Sequence, residues 1–153
     1  MKIEYRKARL HDISAMQILV EPEIESGVIL IRTDNEIATN IRSYMLACSD
    51  EKLAGFTALH IHTPTLAEVR SLIVDKDFRG QNIGSGLIQH AIEEAKNLGL
   101  KEVLALTYRQ DFFERLDFLE IPKESLPEHK IWADCIKCKH FPVCNEISLI
   151  KTL

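Results

Sequence analysis

Apolar and polar positions follow two rhythms along this chain, one of about two residues and one of about three and a half, and the changes between them mark its elements. Ile3-Glu4-Tyr5-Arg6 alternates as a first strand does. From Asp12 to Val20 the period lengthens and places Ile13, Met16 and Leu19-Val20 on one side of a short helix. Thr33-x-x-Glu36 has the spacing of a capping box, which predicts a second helix from Asp34 to about Arg42. Tyr44 to Cys48 reads as a strand, Ser49 to Lys52 as a turn, and Leu53 to His62 as the returning hairpin partner. Thr63-Pro64-Thr65 then turns the chain into a strand over Leu66–Val74.

The clearest helix follows a Gly-rich stretch. Ile83, Leu87, Ile88, Ala91, Ile92, Ala95 and Leu98 recur at helical spacing as one apolar stripe, with Glu93, Glu94 and Lys96 outside it and Gly99 placed to cap the C-terminus. Glu102 to Leu106 reads as a short buried strand, Asp111 to Leu116 as a helical turn, and Phe118-Leu119 as an apolar return. The order is mixed α/β, with strand, loop, helix and strand at its centre. No repeat, low-complexity stretch or linker divides the chain. One domain over residues 1–153 is expected, with 130–153 a Cys-containing C-terminal segment packed on it.

Composition narrows the classes of function. The 153 residues are 46% hydrophobic and 27% charged, enough for a single globular core. The net charge of −4 leaves no basic excess to neutralise a phosphate backbone, which argues against a nucleic-acid partner. Met1 to Lys7 lacks the apolar core of a signal peptide. Val28-Ile29-Leu30-Ile31 is too short to cross a bilayer, so a cytoplasmic protein without a membrane partner is expected. Cys48 stands alone, whereas Cys135, Cys138 and Cys144 stand together; without an export signal they read as thiols or metal ligands rather than disulfides.

Arg79-Gly80-Gln81-Asn82-Ile83-Gly84-Ser85-Gly86 carries the chemistry. A strand that ends in a Gly-rich turn and opens a helix makes an anion site, because the first helical N–H groups have no internal partner and the helix dipole favours negative charge there. Gly80, Gly84 and Gly86 offer conformational freedom, Asn82 tolerates a left-handed conformation, and Arg79 adds positive charge. The glycines do not fit the G-x-G-x-x-G of a dinucleotide site, and no Gly-Lys-Ser/Thr exists for a P-loop. Gln81-x-x-Gly84-x-Gly86 does fit the Q/R-x-x-G-x-G/A signature of coenzyme A-dependent acyltransferases. A surface turn that merely caps a helix is the plainer alternative.

From about residue 27 to 148 the chain resembles the GNAT N-acetyltransferases, and more narrowly the short stand-alone N-acetylglutamate synthases. The narrower likeness rests on Gly27-Val28-Ile29-Leu30-Ile31-Arg32, Ala67-Glu68-Val69-Arg70-Ser71-Leu72, Leu106-Thr107-Tyr108 with Phe112-Phe113, and Lys130 to Cys135 with Cys138, Cys144 and Glu146. The resemblance implies a mixed central sheet splayed between the strands at 66–74 and 102–106 and flanked by helices, with acetyl-CoA as cosubstrate. Backbone groups of Leu72, Ile73 and Val74 would pair with the pantetheine, and the segment Arg79, Gly80, Gln81, Asn82, Ile83, Gly84 and Ser85 would hold the pyrophosphate. Two departures stand out. Asn82 replaces a common Gly, and Phe113 occupies the place of the Tyr that often protonates the leaving thiolate.

An amine attacking a thioester must first lose a proton. Glu68 is the candidate base, needing burial or a water relay to act. It shares a strand face with Arg70 unless a bulge intervenes, and a Glu68–Arg70 ion pair facing water is the structural alternative. Tyr108, just beyond its strand, is the candidate acid, with amphipathic packing as its alternative. Arg32 and Arg70 are the candidate partners for the two carboxylates of a glutamate acceptor, since guanidinium groups bind carboxylates bidentately. Cys135-x-x-Cys138-x-His140-x-x-x-Cys144 offers a Cys₃His set that zinc would accept, but a single tight loop is a difficult geometry, so packed thiols are expected and no metal is assigned. His60, His62 and Trp132 read as structural.

The expected function is therefore transfer of acetyl from acetyl-CoA to the α-amino group of L-glutamate, the first step of arginine biosynthesis. An acetyltransferase for another small amine or a protein N-terminus, and a non-catalytic acyl-CoA sensor, stay open. The expected partner is a small-molecule amine, with a homodimer left open.

Overall fold

In the computed structural model the structure describes residues 2–26, 32–122 and 147–153. Strand alternation and helical periodicity sort into a layer of helices on each face of one sheet. Among the described residues the strands are β1 (Ile3–Lys7), β2 (Tyr44–Ser49), β3 (Lys52–Ile61), β4 (Leu66–Val74), β5 (Glu102–Thr107), β6 (Leu119–Ile121) and β7 (Ile147–Thr152), in the spatial order β1-β2-β3-β4-β5-β7-β6. Among the described strands only β4 and β5 run parallel. A parallel pair needs a crossover, and α3 (Ile83–Leu98) supplies it.

The α3 stripe is buried as its period demands. Ile88, Ala91, Ile92 and Ala95 turn inward onto Leu59 and Val69 of β3 and β4 and Ala105 and Leu149 of β5 and β7, while Ile83 and Leu87 pack with Ala47, Ala54 and Phe78. Burying each Leu or Ile contributes about 1.5–3 kcal/mol, which outweighs the about 1 kcal/mol of helix propensity given up at each of Gly84 and Gly86. Gly99 ends the helix at φ 87°, as the C-cap reading anticipates. On the opposite face α1 (Ile13–Glu25) and α2 (Asp34–Thr39) cover Tyr44, Leu46, Phe56 and Ala58 with Met16, Val20 and Ile37.

Three departures from the sequence reading are larger than two residues. Helix α1 runs past Val20 and through Pro22 to Glu25. The carbonyl of Ile18 loses its donor there, but Ile18 is 72% exposed and its carbonyl can turn to water. The Thr33–Glu36 capping box forms as expected, with Thr33 N–H donating to Glu36 Oε1 at 3.0 Å and Glu36 N–H to Thr33 Oγ1 at 3.1 Å. Its helix stops at Thr39 rather than Arg42, because the Asn40 amide donates to the carbonyl of Glu36 at 2.9 Å and competes with the next turn. Strand β7 lies in the segment read only as a packed tail; it inserts between β5 and β6, from Glu102↔Thr152 to Thr107↔Ile147 along β5.

Candidate active site

The geometry of the site starts from an irregularity in β4. Against β3, Phe56 pairs with Ile73 and Ala58 with Arg70, so Thr57 alone faces both Ser71 and Leu72. This is a bulge. Ser71 takes φ 59°, a conformation that costs a non-glycine residue of the order of 1–3 kcal/mol and holds only where the surroundings enforce it. Thr57, fully buried, donates its hydroxyl to the carbonyl of Arg70 at 3.1 Å. Against β5 the pairing runs only from Leu66↔Glu102 to Val69↔Ala105. Beyond the bulge β4 has left β5, and the sheet opens there.

A cleft of about 630 Å³ occupies the opening. Leu72, Ile73 and Val74 form its β4 wall, and Arg79, Gly80, Asn82, Ile83, Gly84 and Ser85 the α3 end. Tyr108 lines it from the end of β5, beside Arg109, Phe112 and Arg115. Gln81 is not among the lining residues. Gly80 at φ 83° and Asn82 at φ 60° turn the chain so that α3 begins at the cleft, where its first N–H groups and dipole favour an anion. Gly84 sits where an added Cβ would lie 3.4 Å from the Phe112 ring, so the absent side chain widens the cleft.

Two residues of the motif act differently from the sequence reading. Gly86 has no left-handed backbone; a Cβ there would overlap the ring of Tyr5, which stacks on His90 at 4.4 Å between centroids. Its smallness lets α3 close on β1. Arg79 is not an unopposed cation: its Nη2 stands 3.6 Å from Glu23 Oε1, and its Nε donates to the carbonyl of Val74 at 3.4 Å.

Upstream of the bulge the register is unbroken, so Glu68 and Arg70 do share a face, and His60 pairs directly with Glu68. They are not a water-facing ion pair. Glu68 is 2% exposed, and its Oε1 lies 2.8 Å from His62 Nε2. Arg70 instead donates from Nη2 to His60 Nδ1 at 3.1 Å. The His60 and His62 rings meet edge to face at 4.7 Å. The sequence reading missed this network because alternation on β3 shows that 60 and 62 share a face but not which residues of β4 lie opposite. It also missed Arg109 and Arg115, whose signal is their position one turn either side of Phe112 at a strand end.

Arg32 and Ser71 line a small cleft together with Tyr44 under α1 and α2. Burial pushes the Tyr44 phenol up, Arg32 and Arg70 pull it down, and Glu36 raises it, so both guanidinium groups and one carboxylate act around this ring. Tyr108 is 42% exposed. Glu68, Arg70 and Arg32 thus gather on the α1/α2 side of β4, whereas Tyr108 and the helix-opening loop belong to the large cleft.

Cys135, Cys138, His140, Cys144 and Trp132, and the block from Gly27 to Ile31, lie outside the described residues. Among the described residues no cluster of three His, Cys, Asp or Glu could hold a metal ion. No helix among them is long and apolar enough to cross a membrane.

The chain matches known proteins over most of its own extent. Residues 10–118 fit the acetyltransferase (GNAT) family model. An uncharacterised N-acetyltransferase of Chlorobaculum tepidum is 38% identical over 97% of this chain and 95% of its own. An amino-acid acetyltransferase of Mycobacterium tuberculosis is 30% identical over 76% of this chain and 68% of its own. The Vibrio cholerae amino-acid acetyltransferase is longer: at 25% identity the match spans 83% of this chain but only 29% of that protein. Among solved structures, the N-acetylglutamate synthase of Neisseria gonorrhoeae, complexed with coenzyme A and N-acetyl-glutamate, superposes with a TM-score of 0.88 at 23% identity, covering all of this chain and 35% of that one.

This chain therefore belongs to the GNAT acetyltransferase family. Within it, the protein is an acyl-CoA-dependent N-acetyltransferase, and the large cleft has the form its cosubstrate needs: a strand edge freed from its neighbour, a helix N-terminus at one end, and room for an extended chain between them.

Proposed function

We propose that the protein transfers the acetyl group of acetyl-CoA to the α-amino group of L-glutamate. The observation that carries this reading is the placement of two guanidinium groups, Arg32 and Arg70, around Tyr44 on the face of β4 that bears Glu68. An acceptor with two carboxylates needs two such cations, and a planar guanidinium recognises a carboxylate through paired hydrogen bonds. The similarity to the amino-acid acetyltransferase of M. tuberculosis supports an amino-acid acceptor.

On this reading Leu72, Ile73 and Val74 offer backbone groups to the pantetheine, and the loop from Arg79 to Ser85 with the start of α3 holds the pyrophosphate. Glu68, buried on the acceptor side, takes the proton from the acceptor ammonium through an intervening water, which frees the nitrogen lone pair to attack the thioester carbonyl. Backbone N–H groups freed at the Ser71–Leu72 bulge stabilise the oxyanion as fixed dipoles. Tyr108, lining the cleft, returns a proton to the departing thiolate. Arginine biosynthesis is the corresponding pathway.

Thiol release from acetyl-CoA, measured with glutamate and a panel of amines, tests the acceptor. Glutamate should give the highest kcat/KM. Preference for a polyamine or a peptide N-terminus would move the protein to another acceptor, and tight acetyl-CoA binding without release to any amine would make it a sensor.

A further inference from the structure

The carboxylate placed at the centre of the reaction is held by a residue that the reaction itself does not use. His62 Nε2 and Glu68 Oε1 lie 2.8 Å apart, with the two side chains 1% and 2% exposed. Out of water, an ionised carboxylate is costly unless a donor reaches it, and a hydrogen bond to the charged form is what keeps that form. The pairing is built in by the hairpin. His60 is directly opposite Glu68, and His62 follows two residues on, where its own N–H donates to the carbonyl of Leu66 at 2.9 Å and fixes it at the turn. His60 is oriented in turn by Arg70, whose Nη2 at 3.1 Å can only donate, so His60 Nδ1 accepts and the ring carries its hydrogen on Nε2. The edge-to-face contact of 4.7 Å between the two rings limits how far either can turn.

We propose that His62 is the positioning residue of the acetyl transfer: its Nε2–H, donated to Glu68 Oε1, holds that carboxylate ionised and in a single orientation. The inference rests on the reading of Glu68 as the base. The proton leaving the acceptor ammonium passes through water to Glu68, while His62 keeps its Nε2–H as the donor. Among the described residues, the charged and titratable groups on this face include His60 from β3, Arg70 from β4, Tyr44 from β2, and Arg32 and Glu36 around α2; β5 presents the apolar Leu104 opposite Glu68. All of these persist in a His62 variant, so a change in the titration of Glu68 reports on His62.

His62→Phe keeps a ring and removes the donor, and His62→Gln keeps a side-chain N–H. Losing a hydrogen bond to the charged form raises a carboxyl pKa, so the acid limb of the kcat profile should move up by about one pH unit in His62→Phe. On that limb kcat should fall about tenfold, with KM for acetyl-CoA within about twofold, and His62→Gln should restore the limb. In ¹³C-Glu-labelled protein the Glu68 resonance, assigned by its loss in Glu68→Gln, should titrate at higher pH in His62→Phe whichever amine is acetylated. An unmoved midpoint, or a lowered melting temperature with an unmoved acid limb, would overturn the proposal. If His62→Phe does not fold, ¹⁵N-His spectra of the wild type decide: Nε2 should carry the proton while Glu68 is ionised, and a bare Nε2 would overturn the assignment. Full activity in Glu68→Gln would instead remove the base itself from the mechanism.

Discussion

Gly86 belongs to the motif that reads as a phosphate cradle, yet its surroundings say that it is there to let a tyrosine in. Adding one methyl group decides between these roles. An alanine Cβ would overlap the Tyr5 ring, which is held by the stack on His90. Overpacking of this kind costs about 1–3 kcal/mol, and turning the ring out forfeits a stack worth about 0.5–1.5 kcal/mol. Against this, Ala is better than Gly inside a helix by about 1 kcal/mol. Gly86→Ala should therefore destabilise the protein by about 1 kcal/mol or more, lowering Tm by about 2–4 °C per kcal/mol for a domain of this size. With Tyr5→Ala already in place the clash is gone and only the helix term survives. The same substitution should then stabilise by about 1 kcal/mol, a reversal of sign read from urea and thermal melts by circular dichroism. KM for acetyl-CoA should match between Tyr5→Ala and the double variant. The packing argument is refuted if Gly86→Ala raises Tm in the wild-type background, or if it costs the same with and without Tyr5.

Two further outcomes follow from groups remote from the cleft. The Asp12 carboxylate accepts from both terminal nitrogens of Arg6 at 2.9 Å and from the Arg9 N–H at 2.8 Å, and the Arg6 bonds foremost hold its pKa below the usual carboxylate range. Its folded-state pKa is depressed, so its contribution is present above the unfolded value of about 3.9 and is lost as pH falls through the folded value. Asp12→Asn should cost about 1 kcal/mol at pH 7 and progressively less as pH falls through the folded value, and a cost in urea melts that does not diminish in acid would sink the pairing. Burial pushes the Cys48 thiol up and leaves it 7% exposed, so at pH 8 iodoacetamide should modify the Cys48 peptide at least about tenfold more slowly in native protein than in urea; equal rates would mean the thiol is open to solvent.

The parts of the molecule legible in advance are those whose cause lies in neighbouring residues. The α3 stripe, the Gly99 cap, the Thr33–Glu36 box and the left-handed turn at Asn82 each follow from a few contiguous side chains and their preferred backbone angles. The Gln81-x-x-Gly84-x-Gly86 spacing pointed to acyl-CoA for the same reason, because a helix N-terminus is an anion site wherever a strand and a Gly-rich turn deliver it. The length of α1 was not legible, because whether Pro22 ends a helix depends on whether the Ile18 carbonyl can reach water. Nor was β7, whose Ile147–Thr152 becomes a strand by pairing with β5 and β6, and β5 lies some forty residues away in sequence.

From its own pattern the sequence determined the central strand–loop–helix–strand unit, the Gly-rich turn that opens α3, and that Glu68 and Arg70 would share a face if the strand were regular. Tertiary structure decided the rest: that the bulge falls at Ser71–Leu72 rather than between those two, that β4 parts from β5 just after Val69, and that Glu68 is buried against His62 instead of paired with Arg70. The physical reason is register. Periodicity fixes which side of its own strand a residue occupies, but the partner across the ladder is set by how whole strands align, and that alignment is settled by contacts between distant segments.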